Sequence, residues 1–185
     1  MAIKPILFNT EMVRAILDGR KTCTRRTLKH PFIVHPNGYI TKPRGNENLC
    51  PYDSPYQRGD ILYVRETWKN APNGYYYYEN WQRDDIADVT KWKPSIHMQK
   101  EAARIWLKVT NVRVERLQDI TADSIRNEGL SSLAVHCGDM EIALKEWENL
   151  WNSTIKKSDL DRYGWDANPW VWVIEFERCE KPKGV

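Results

Sequence analysis

The segment Gly19-Arg20-Lys21-Thr22-Cys23-Thr24-Arg25-Arg26 gathers one lysine, three arginines and two threonine hydroxyls into eight residues. Cationic donors beside hydroxyl groups attract phosphate or the polar edge of a nucleobase. With a carboxylate added, such a cluster can also hydrolyse a bond. The plainer reading is a basic surface strand that follows a capped helix. Two further charges stand out at Arg65 and Glu66. Alternation along Ile61-Leu62-Tyr63-Val64-Arg65-Glu66 puts each at the end of a different strand face. Either one points into a pocket, or the strand simply emerges into solvent there.

Aromatic residues offer a second kind of chemistry. The chain has nine tryptophans, and Trp68, Trp81 and Trp92 fall in irregular, polar stretches. Exposed aromatics among basic residues form a stacking platform for bases; equally, they pin long loops onto a small core. Ser95 and His97, within Trp92-Lys93-Pro94-Ser95-Ile96-His97-Met98, are candidate ligand contacts, against the reading of His97 as a loop residue bonded to backbone.

The elements that must position these residues are marked in the sequence. Pro5-Ile6-Leu7-Phe8 reads as a strand. Asn9 or Thr10 caps a helix from about Glu11 to Asp18, with Glu11 near the positive end of the dipole. Met12, Val13, Ile16 and Leu17 share its apolar face, and Gly19 is a natural residue just past its end. Lys21 therefore leaves the helix for an extended segment through Thr27. Residues 29–57 carry five prolines and read as a long loop, with a short hairpin around Asn37-Gly38. Gly59-Asp60 opens the strand that ends at Arg65 and Glu66. Residues 69–94 read as irregular.

A long strand runs from Arg104 to about Leu117. Its apolar positions shift parity, from Ile105, Leu107 and Val109 to Val112 and Val114, which requires a bulge or tight turn near Thr110-Asn111. Thr121 caps a short helix over Ala122–Asn127 that ends at Glu128-Gly129. Asp139 caps another over about Glu141–Ser153, with Ala143, Trp147, Leu150 and Trp151 as its buried stripe. After a polar stretch at 155–169, the closing strand from Trp170 to Glu177 alternates cleanly. The four or five strands do not alternate regularly with the three helices. That pattern argues for an α+β fold with a bent, mostly antiparallel sheet that closes into a small barrel.

Bulk composition narrows the function classes. A chain of 185 residues is long enough for one domain that buries roughly 70% of its unfolded surface without disulfides. The net charge of +3 is mild, so affinity for nucleic acid must come from local clustering. No stretch is apolar enough to span a membrane, and Met1-Ala2-Ile3-Lys4-Pro5 lacks an export-signal core. The expectation is a cytoplasmic protein with free thiols at Cys23, Cys50, Cys137 and Cys179. A zinc set of His35, Cys50, His136 and Cys137 lacks metal-ligand spacing, so neither metal nor cofactor is expected.

The helix followed by Gly19-Arg20-Lys21-Thr22-x-Thr24-x-Arg26, the Gly59-Asp60 opener, the unit Val112–Glu128 and the closing Val173-Ile174-Glu175-Phe176 resemble the ASCH domain, a relative of the PUA-like β-barrel. Nearly the whole chain resembles prophage-encoded ASCH proteins. The strings that carry this are Val64-Arg65-Glu66-Thr67-Trp68, Trp92 to Met98, Arg113 to Ile120 and Asn168-Pro169-Trp170. The resemblance implies one PUA-like domain over residues 1–185, with long additions near 29–57, 69–92 and 131–165. A smaller bacterial ASCH enzyme, similar only in the core pieces, hydrolyses the acetyl amide of N4-acetylcytidine. Its proposed catalytic lysine, threonine and glutamate correspond here to Lys21, Thr24 and Glu128.

That correspondence implies Thr24 as nucleophile, a neutral Lys21 as its base and Glu128 as acid for the departing amine. Arg20, Arg25 and Arg26 surround Lys21 in sequence, and Arg65 or a backbone N–H is a candidate for the oxyanion. One geometric condition must hold. Residues three apart face opposite sides of a flat strand, so Lys21 and Thr24 meet only if the chain breaks at Thr22-Cys23. The expected partners are RNA, a single-stranded nucleic acid or a small modified nucleoside. Non-catalytic RNA binding and ribonuclease activity are the alternatives to hydrolysis of an acylated cytidine.

Overall fold

The computed structural model describes residues 1–29, 31–37, 39–44, 48–80, 91–130 and 137–184. The fold is α+β. Its main sheet holds β1 (Ile3–Leu7), β2 (Cys23–Thr27), β6 (Ile61–Arg65), β9 (Trp106–Arg116) and β10 (Trp170–Cys179) in the order β1-β6-β9-β10-β2. β1 lies parallel to β6, and the other pairings are antiparallel, so the sheet is mixed. β1 and β2 stand at its two ends, and no ladder joins them among the described residues. The ends nevertheless approach: Arg26 Nη2 donates to the Leu7 carbonyl at 2.9 Å.

The parity shift in β9 has the expected cause. Glu175 pairs with Asn111 but Phe176 pairs with Val109, so Thr110 is the extra residue. The offset returns Leu107, Val109, Val112 and Val114 to one core, together with Trp172, Ile174 and Phe176 of β10. Val171 and Val173 face the opposite way, into a second cluster with Trp147 and Trp151. β10 is thus covered on both faces. A third cluster packs Ile61, Trp68, Met98 and Trp106.

α1 (Thr10–Leu17) starts where Asn9 Oδ1 accepts the Met12 N–H at 2.9 Å. It ends in a Schellman turn: Gly19 N–H reaches the Ile16 carbonyl at 3.1 Å and Arg20 N–H the Ala15 carbonyl at 2.9 Å, with Gly19 at φ +75°. α2 (Ala122–Asn127) is capped by Thr121 and α3 (Met140–Thr154) by Asp139. α4 (Leu160–Tyr163) is short and raises the helix count from the three expected to four among the described residues. No helix is long and apolar enough to cross a membrane.

Two stretches read as loops are more regular than expected. Within 29–57, β3 (Ile33–Val34), β4 (Ile40–Arg44) and β5 (Asn48–Pro51) form an antiparallel three-stranded sheet. β3 and β4 flank the expected turn, Gly38 itself lying outside the described residues. Farther along, β7 (Trp68–Ala71) and β8 (Gly74–Tyr77) form a hairpin closed by Pro72-Asn73, with Gly74 at φ +131°. Consecutive tyrosines hide the period-2 signal there, because both faces carry the same residue type.

Candidate functional site

The residues between α1 and β2 are held by the end of α2. Thr22 N–H donates to the Asn127 carbonyl at 2.8 Å, and Lys21 forms an isolated antiparallel bridge with Glu128. β2 begins only at Cys23. The break at Thr22 meets the geometric condition: Lys21 and Thr24 border one cavity of about 190 Å³. β2 lies at the end of the sheet, so side chains from both of its faces reach a cavity along its open edge. Arg25 and Arg26 line it as well, and so does Glu128.

Gly129 permits this closeness. Its φ is +96°, and a methyl group in place of its hydrogen would sit 2.8 Å from Ala15 Cβ and 3.0 Å from Lys21 Cβ. Glycine is required there both for the backbone angle and for the contact.

An ion-pair chain runs through the site. Lys21 Nζ donates to Glu128 Oε2 at 2.7 Å and to the Glu128 carbonyl at 2.9 Å. Arg25 Nη1 donates to Glu128 Oε1 at 3.1 Å, and its Nη2 pairs with Glu115. The Lys21, Glu128 and Arg25 side chains are only 1–2% exposed. Burial works against the charge of Arg25, but Glu128 and Glu115 outweigh it and raise its pKa. Arg26 differs. Desolvation lowers its pKa, its Nη2 reaches only the Leu7 carbonyl, and its guanidinium lies 5.5 Å from the Phe8 ring centre. No carboxylate pairs with Arg26 among the described residues, so it supplies the excess positive charge of the cavity. The Cys23 thiol, beside the cluster, is pushed up to about 12, chiefly by burial. It is no nucleophile at neutral pH.

The opposite wall is apolar and comes from α3: Trp147, Leu150 and Trp151. Phe8 and Met12 complete it. The volume is below the range of roughly 300–1,000 Å³ typical of drug-sized ligands. It is room for one small planar group, not a whole nucleotide.

The other expected site residues lie elsewhere. Arg20 turns outward to Asp18 at 2.8 Å and to the Gly129 carbonyl. Arg65, Glu66, Trp68, Trp92, Ser95 and His97 gather in a separate corner: Trp68 bridges to Lys93, Arg65 Nη2 donates to the Ile96 carbonyl, and the Glu66 N–H contacts Met98 Sδ at 3.2 Å. None of their side chains lines the cavity. Trp68 is buried and packs on Tyr75, so it offers no open stacking face. Trp92 stands edge-on to Tyr78, Ser95 and His97 bound a single turn of 3-10 helix, and Trp81 lies outside the described residues. Of the two readings of the strand end at Arg65 and Glu66, emergence into solvent does not hold at Glu66, while Arg65 is half-buried. Glu66 is 2% exposed and takes a fork from Arg104, at 2.9 Å from both Nε and Nη2. Desolvation raises the Glu66 pKa against the pull of Arg104.

Sequence reasoning missed Phe8, Glu115, Gly129 and the α3 wall as parts of the site. Trp147, Leu150 and Trp151 carry the ordinary period of a core stripe, which is indistinguishable from a cavity wall. Glu115 sits in a charged run whose pairing depends on β10 and β2. Among the described residues no group of three His, Cys, Asp or Glu could hold a metal ion; His136 of the conceivable zinc set lies outside them.

No protein-family model matches the chain, and no curated protein matches it. Solved structures do match along nearly its full length. One of them is an ASCH domain. It comes from Lactobacillus crispatus, with 11% identity, a TM-score of 0.44, and coverage of 96% of this chain and 79% of that one. A protein from Enterococcus faecalis matches with 10% identity, a TM-score of 0.44, and coverage of 97% and 76%. A third, described only as a hypothetical protein, has 15% identity, a TM-score of 0.42, and coverage of 97% and 100%. Likeness at this level says nothing about activity.

Proposed function

We propose that this is an ASCH-type protein whose cavity binds a modified pyrimidine and hydrolyses an amide on its exocyclic nitrogen, as in an N4-acylated cytidine. The observation that carries the reading is the buried Lys21–Glu128 pair sharing one small cavity with the Thr24 hydroxyl and the carboxylate-free Arg26. We also read the curled sheet, whose ends Arg26 ties together, as a PUA-like barrel.

The chemistry needs no change in net charge. Moving one proton along the 2.7 Å line from Lys21 to Glu128 turns the ion pair into an amine and a carboxylic acid, a base and an acid side by side. The Thr24 hydroxyl then attacks the acyl carbon as its proton passes to Lys21. Arg26 faces the oxyanion, a role that Arg65 cannot fill from its contact with Ile96. The C–N bond breaks as Glu128 protonates the exocyclic nitrogen. Water cleaves the acyl-threonine in reverse order, giving its proton to Glu128 while Lys21 returns one to Thr24. Atoms and charges close after two half-reactions.

Incubation with N4-acetylcytidine, with release of cytidine and acetate followed by chromatography, tests this. Wild-type protein turns the substrate over. Thr24→Val, which keeps the side-chain shape, loses at least about 100-fold, and Thr24→Ser retains turnover. Absence of turnover in wild type, or full activity in Thr24→Val, contradicts the reading.

A second reading is favoured by one feature. Arg26 also lines a groove of about 450 Å³ with Lys29, Tyr52, Tyr56 and Trp172, the pairing of cations and rings that single strands use. In that reading the protein binds RNA without cleaving it. Binding of an oligonucleotide that weakens steeply with salt, with no turnover of acylated cytidine, selects it.

A further inference from the structure

Two tryptophans stand one helical turn apart on the α3 wall of the cavity, and their indole N–H groups differ. Trp151 Nε1 donates to the Tyr163 carbonyl at 2.8 Å. Trp147 Nε1 is buried and has no partner among the described residues, and Trp147 is only 3% exposed. Arg25 lies across from it, its guanidinium carbon 5.9 Å from the Trp147 ring centre. Arg25 Nε is a buried donor without a partner too. A buried N–H left unpaired is costly and uncommon. Here two such donors belong to side chains that line the same cavity. Each lacks an acceptor, and a bound molecule with an exposed oxygen or ring nitrogen would provide one.

We propose that Trp147 is a ligand-positioning residue: its indole N–H, beside Arg25 Nε, donates to a carbonyl-type acceptor of the bound molecule, while Leu150 on the next turn limits the size of the apolar group that enters. This rests on the hydrolase reading for the nature of the ligand, but not for the donor itself. Both donors are fixed by the core. Trp147 is anchored in the cluster that packs against Val171 and Val173, and Arg25 is anchored by Glu128 and Glu115. A site with two preset donors favours acceptor edges over donor edges, because an N–H on the ligand would face an N–H on the protein. α3 lies within the stretch near 131–165 that the resemblance marks as an addition, so on that resemblance this selectivity belongs to the larger chain and not to the core pieces shared with the smaller enzyme.

The test is nuclear magnetic resonance of the tryptophan indole N–H signals, the Trp147 signal being assigned by its absence in Trp147→Phe. Two probes are titrated separately: sodium acetate, which offers only a carboxylate acceptor and a methyl group, and N4-acetylcytidine. The proposal expects both to shift the Trp147 indole signal while Trp151 stays still. It also expects Trp147→Phe to weaken N4-acetylcytidine roughly 3- to 10-fold, and Leu150→Ala to admit the butyryl analogue. A Trp147 signal that moves with neither probe overturns the proposal. So does N4-acetylcytidine that binds without moving it, and in that case the hydrolase reading survives. A shift with acetate but no binding of nucleoside keeps the donor role and ends the nucleoside reading.

Discussion

Glu128 is held by two cations at once, Lys21 at 2.7 Å and Arg25 at 3.1 Å. Buried pairs of this kind contribute little net stability when intact, and removing one partner is strongly destabilising. Glu128→Gln is therefore expected to lower stability by about 3–5 kcal/mol in urea unfolding, because Lys21 is left charged and buried. Lys21→Met with Glu128→Leu removes both charges and leaves Arg25 its pairing with Glu115. That double variant is expected within about 1–2 kcal/mol of wild type and is expected to be inactive. A stable, inactive double variant separates the chemical role of the pair from its structural one.

At the scale of elements, the site exists because Ala15 of α1, Lys21 just before β2 and the turn that follows α2 pack together at Gly129. Gly129→Ala places a Cβ at 2.8 Å from Ala15 Cβ, in a backbone conformation that alanine disfavours. The expected cost is about 1–3 kcal/mol, read as a lowered melting temperature, with a larger fractional loss of turnover as Lys21 is displaced from Glu128. The capped ends of α1, α2 and α3 were legible in the sequence, since Asn9, Thr121 and Asp139 act locally. The irregularity at Thr110 was legible too, because a break in parity requires a bulge or a tight turn, and the pairing with β10 shows the bulge. What escaped was non-local. The parallel pairing of β1 with β6 joins segments more than fifty residues apart, and no local signal sets its direction. Lys21, Thr24 and Glu128, which the resemblance implied, border one cavity, whereas Arg65, Glu66, Trp68, Trp92, Ser95 and His97 lie in a second corner outside it. Adjacency in sequence does not show which side of a sheet a residue serves.

For the whole molecule, Asp60 fastens the amino-terminal strand to the sheet. It accepts from Ala2 N–H at 2.9 Å, Lys4 Nζ at 2.7 Å and Gln57 N–H at 3.1 Å. Desolvation, the largest single influence, pushes its pKa up, but those hydrogen bonds and the charge of Lys4 together hold it below the ordinary 3.8. A carboxylate lowered in the folded state stabilises above its unfolded value, and that contribution is lost as pH falls through the folded value. Asp60→Asn should cost about 1–3 kcal/mol at neutral pH, with the gap to wild type closing below pH 3.8 when unfolding is followed across an acid series. Charge at the same scale is modest, at +3 overall, so the proposed recognition would draw on the local excess at Arg26 more than on the field of the protein.

The most direct measurement is a crystal structure of Thr24→Val soaked with N4-acetylcytidine. The account predicts the acylated edge of the base in the cavity between β2 and α3, its amide within hydrogen-bonding reach of Lys21 and Glu128. A base stacked instead on Tyr52 and Trp172, with that cavity unchanged, would contradict it.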